Sequence, residues 1–111
     1  MKAYKVVEKT ERSSCIVGGE YKLYYPKGGI VKAPEGTMGI FCFETLEDAK
    51  RFAQEDRLII EVEGIGKPYK PDFVVNVRHP EYFTKYKKAI GYYKGIVWKG
   101  TVCFKKVKVL T

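Results

Sequence analysis

Only one stretch of this chain carries a clear helical period, and that limits the fold more than any other feature. In "TLEDAKRFAQEDR", Leu46, Ala49, Phe52 and Ala53 fall on one face at helical spacing. Thr45 is a natural N-cap, with Asp48 three residues on in the capping-box position, and Glu47 can pair with Arg51 one turn later. The spacing predicts a helix over about 46–55. Most of the remaining chain reads as short β-branched and aromatic runs cut by glycine and proline. "AYKVVEK" opens the chain as a strand, "SSCIV" and "EYKLYY" flank a Gly18-Gly19 hairpin turn, and "MGIFCFE" is a short apolar strand expected to be central. "LIIEVEG" places Ile60 and Val62 on one side and Ile59, Glu61 and Glu63 on the other, and "DFVVNVR" is a further strand. "HPEYFTKYKKAI" predicts a second short helix over about 80–90, started by Pro80. The chain closes on a hairpin around Lys99-Gly100. In its last strand, Val102 and Phe104 share a face with Val107 and Val109 only if Lys105-Lys106 forms a bulge. Six to seven strands, one or two helices and no βαβ alternation predict a single α+β domain over 1–111, a mainly antiparallel sheet with its helix on one face.

At 111 residues the chain suits one domain, and 45% apolar with 31% charged residues lies in the globular range. No window approaches eighteen consecutive apolar residues, and the N-terminus turns polar after seven residues. The expectation is a soluble cytoplasmic protein without a membrane partner. Cys15, Cys42 and Cys103 are an odd, widely spaced set, so a disulfide framework or zinc ribbon is not implied. Cys42 and Cys103 read as buried thiols within strands. Seventeen lysines and ten glutamates stand against one glutamine, one asparagine and two serines, a composition that resembles thermophile proteins.

The motifs that carry chemistry elsewhere are weak here. Gly64 to Gly66 follows a strand, but Pro68 and Pro71 come next and not the helix N-terminus a dinucleotide loop needs. His79 is the only histidine, with no partner at close spacing, and neither catalytic nor metal-ligating residues are assigned. Glu61 and Glu63 share a strand face, as a general acid/base pair would, and as any half-exposed strand does. No cofactor is implied.

"GIFCFETLEDAKRFAQEDRLIIEVEG", about Gly39–Gly64, resembles the central strand–turn–helix–strand portion of the ADP-ribosyltransferase-like fold. The resemblance implies a nucleotide-binding protein, active or degenerate as a transferase, with its ligand near Thr45, Glu61 and Glu63. The same unit is similar to small uncharacterised phage and archaeal-virus proteins, which implies no activity.

Charge is the strongest asymmetry. Met1 to Glu81 carries nine lysines and four arginines against thirteen carboxylates, whereas Tyr82 to Thr111 carries eight lysines and no acid, so the whole net charge of +8 lies in the last thirty residues. Between Tyr82 and Lys99 six aromatics are interleaved with five lysines. Lysines neutralise phosphates and exposed aromatics stack bases. The candidate nucleic-acid-binding residues are therefore Lys85, Lys87, Lys88, Tyr92, Tyr93, Lys94, Lys99, Lys105, Lys106 and Lys108. The segment has no arginine, whose planar fork reads bases bidentately, so binding without sequence specificity is expected. The expected function is a small basic, non-enzymatic binding module whose partner is nucleic acid. An acidic protein, a small anion, or a solvated face within a structural domain are the alternatives.

Overall fold

The computed structural model describes residues 1–15, 22–35, 37–70 and 99–111. Six strands and one helix run in the order β1 (Lys2–Glu8), β2 (Ile30–Lys32), β3 (Ile40–Phe43), α1 (Leu46–Ala53), β4 (Arg57–Ile65), β5 (Thr101–Phe104) and β6 (Lys106–Val109). The strands form one antiparallel sheet in the order β2-β6-β4-β1-β3-β5, so the architecture is α+β with strands dominant. The expected strand 72–78, the expected helix 80–90 and the loop around Gly18-Gly19 lie outside the described residues. What flanks that loop pairs as a hairpin should: Ser13 bridges Tyr24, and the Ser14 amide donates to the Leu23 carbonyl at 2.9 Å.

The sheet order requires strong curvature. β5 and β6 are separated in the ladder by β3, β1 and β4, which in a flat sheet is about 19 Å at ~4.8 Å per strand. Along the chain only Lys105 lies between them, and two residues span at most about 7 Å. The sheet therefore curls until β5 meets β6, and one bent strand serves both ends of a barrel-like structure. The expected bulge is this bend. Val102, Phe104, Val107 and Val109 all join the interior, with Ala3, Val7, Tyr25, Val31, Ile40, Cys42, Ile60 and Val62. The Phe104 ring of β5 lies so close to Gly64 of β4 that a Cβ there would sit 2.3 Å from the ring. Gly39, at φ +114°, passes the Phe104 backbone at a distance no side chain would tolerate.

Outside the barrel a second cluster forms beneath α1: Val6, Phe43, Ala49 and Ala53, with Tyr4, Phe52 and Ile59 packed around it. β1 thus faces both layers, Val7 inward and Val6 towards the helix, as period 2 demands. The Thr45 hydroxyl accepts from the Asp48 amide at 3.2 Å and donates to the Asp48 carboxylate at 2.9 Å, which fixes the first turn. Two helical expectations are corrected. Leu46 is 40% exposed, because at about 100° per residue it lies at the edge of the apolar stripe, about 120° round the helix from Phe52. Arg51 pairs with Asp48 at 2.9 Å and not with Glu47, since buried Asp48 is already held by the cap and its position is set. β4 also runs through Gly64 to Ile65, so the "GIG" turn begins one residue later than its glycines suggest.

Candidate functional site

α1 covers only part of the barrel's outer surface, the part made by β1, β3 and β4. The outer faces of β2 and β6 and the end of β4 remain exposed, and Lys106 and Lys108 lie here. In β6, Val107 and Val109 point into the core, so Lys106 and Lys108 must point out. They stand two residues apart, about 7 Å along the strand. Register places Lys106 opposite Lys32 of β2 on one side and Ile65 of β4 on the other. Lys108 lies between Ile30 and Glu63. Lys32 was not among the sequence candidates. Its strand is three residues long, and only the β2–β6 pairing brings it beside Lys106.

The electrostatics of this face are uneven, with Glu63 opposite Lys108 but lysine opposite lysine at Lys32 and Lys106. Glu61 is held by Lys2 at 3.2 Å, and Glu63 by the Met1 amino group. Among the described residues, no carboxylate lies within ion-pair distance of Lys32, Lys105, Lys106 or Lys108. Lys32 and Lys106 are directly opposed across the ladder, a destabilising arrangement for two like charges without a counter-ion. Ile30, 65% exposed, and Ile65 flank them.

The other sequence candidates divide. Lys105 is exposed in the bend beside this face. Lys99 sits with Gly100 in the turn before β5, where Gly100 packs against Asp48 of α1, roughly 20 Å of strand away from Lys105. Lys85, Lys87, Lys88, Tyr92, Tyr93 and Lys94 lie outside the described residues. Glu61 and Glu63 project from one face of β4, as the alternation implied, but each is engaged by a cation.

A second polar feature lies inside. Period 2 puts Lys5 on the same face as Ala3 and Val7, and only 9% of the residue is exposed. β1 and β3 pair at a single position, Tyr4 with Phe43, and Lys5 fills the divergence beyond it. Its ammonium donates to the Phe41 carbonyl at 2.8 Å and lies 5.5 Å from the centroid of the buried Tyr25 ring. Burial works against its charge, and the Tyr25 phenol with the Cys42, Cys15 and Cys103 thiols offsets this, so its pKa lies above the ordinary lysine value. Burial pushes the Cys42 thiol up to about 12 and Cys15 up to about 11, and raises Cys103 as well. All three are free thiols, and none is activated as a nucleophile. The alternation around Lys5 was visible in "AYKVVEK", though its burial follows only once the barrel closes.

No described helix is long and apolar enough to cross a membrane. Comparison with protein-family models, with curated proteins and with solved structures gives no match.

Proposed function

We propose that the exposed β2–β6 face is a polyanion-binding surface, and that its ligand is nucleic acid held without sequence specificity. The observation that carries this reading is the opposed pair Lys32 and Lys106, continued by Lys108, with no carboxylate in ion-pair reach among the described residues. A phosphate seated between two such ammoniums relieves their repulsion and releases a condensed counter-ion, which is the general source of affinity for nucleic acids. Lysine provides point charges and not the bidentate fork of arginine, so the surface follows a backbone and does not read bases. A nucleotide bound near Thr45, Glu61 and Glu63 has less support, because Thr45 caps α1 and both glutamates already have cationic partners.

The test is binding of labelled single-stranded and duplex oligonucleotides at low salt by the wild type, by Lys32→Glu/Lys106→Glu and by Lys99→Glu. The proposal expects the double variant to lose most of its low-salt affinity and Lys99→Glu to keep most of it. Equal losses in the two would show that only overall charge matters.

A further inference from the structure

The same region contains a feature that phosphate does not use. β2 hydrogen-bonds to β6 alone among the described strands, and no described strand lies along its other side. The pairing shows which backbone groups face outward. The Gly29 carbonyl accepts from Val109, and the Ala33 amide donates to the Lys105 carbonyl, at 2.9 and 2.8 Å. In an antiparallel ladder alternate residues turn to the partner, so Gly29, Val31 and Ala33 face β6. Ile30 and Lys32 direct their N–H and C=O groups away from it. Both side chains are exposed on the outer face beside this edge.

We propose that the free edge of β2 docks an extended acidic peptide segment of another protein, which adds a strand beside β2. Three observations select that occupant. The alternating donors and acceptors of Ile30 and Lys32 match a peptide backbone, whereas a phosphodiester offers acceptors only and would set them against the two carbonyls. Lys32 and Lys106, and Lys108 beyond, provide unpaired charge for acidic side chains projecting from the same face of the added strand. Ile30, 65% exposed on that same face, offers apolar contact to the methylenes of an acidic side chain opposite it. A second copy of this chain is disfavoured, because β2 against β2 would bring lysine towards lysine at an edge. The inference does not depend on nucleic acid being the polyanion, although the two ligands would compete for Lys32.

The experiment uses a capped hexapeptide alternating glutamate and valine, the same peptide with prolines in place of the valines, and a lysine–valine peptide. Binding to the full chain is followed by calorimetry and by amide hydrogen exchange. The glutamate–valine peptide should bind and should slow exchange at Ile30 and Lys32 while leaving Val31 unchanged. The other two peptides should not bind comparably. Ile30→Pro removes one outward donor and no β6 bond; compared with Ile30→Ala, which loses the same side chain and keeps the donor, it should weaken the peptide by about a further fivefold to tenfold, the loss of one backbone hydrogen bond. Equal binding of the proline peptide, or unchanged exchange at Ile30 and Lys32, would overturn the strand-addition reading. If the peptide fails while oligonucleotides bind, the edge inference falls and the polyanion reading stands. If the peptide binds and oligonucleotides do not, it is the polyanion reading that falls.

Discussion

Replacing Gly64 by alanine tests the closure of the barrel, on which the position of the lysine face depends. A Cβ at Gly64 would lie 2.3–2.4 Å from three carbons of the Phe104 ring. Phe104 is 1% exposed, so its ring has no free space to enter. Forcing extra volume into a packed interior costs about 1–3 kcal/mol, and expelling a buried phenylalanine costs about 3–5. The expected destabilisation is therefore about 2–4 kcal/mol, against roughly 5–15 kcal/mol for a domain of this size. Urea denaturation should show a lower midpoint at unchanged slope. In Gly64→Ala/Phe104→Leu the shorter side chain makes room, and the pair should be less destabilised than the sum of the single changes by about 1 kcal/mol or more. A loss below about 0.5 kcal/mol for Gly64→Ala, with additive behaviour in the double variant, would mean that β4 and β5 do not face each other across a closed interior.

Three further outcomes follow from the same geometry. In the native protein Cys42 and Cys103 should react slowly with thiol reagents at pH 8 and become accessible only in denaturant; rapid labelling of Cys42 would contradict its burial and its pKa near 12. An unfolded thiol ionises near pH 9 while folded Cys42 stays protonated, so the unfolded state sheds protons first and stability falls as pH rises above 9. The slope attributable to Cys42 is about 1.4 kcal/mol per pH unit up to its folded pKa, and Cys42→Ala should flatten the profile accordingly. Thr45→Ala removes both cap hydrogen bonds and should cost about 1 kcal/mol in thermal or chemical denaturation; no change would mean that the cap does not hold α1.

Local chemistry was legible in the sequence, whereas long-range pairing was not. The period of "TLEDAKRFA" and the Thr45 cap locate α1, and the alternation of "LIIEVEG" gives the buried side of β4 as Ile60 and Val62. The run of valines and lysines at the C-terminus requires a break at Lys105, because Phe104 and Val107 are three residues apart and share one interior. What that break does could not be read locally. It carries the chain from beside β3 to a place between β2 and β4, and such neighbours are set by packing across the whole sheet. Lys32 was missed for the same reason, since a three-residue strand has almost no periodic signal and its importance comes from its partner Lys106. Leu46 shows the converse: helical spacing puts it at the edge of the apolar stripe, and only tertiary structure decides whether anything covers that edge.

The most direct test of the polyanion reading is the salt dependence of single-stranded oligonucleotide affinity. If Lys32, Lys105, Lys106 and Lys108 each neutralise one phosphate, the log–log slope is about −2.8, and affinity falls about fiftyfold between roughly 50 and 200 mM salt. Lys32→Glu/Lys106→Glu should flatten that slope by at least half. A steep slope that this variant leaves intact would place the binding elsewhere on the chain, and the absence of binding at low salt would make the β2–β6 lysines a solvated face.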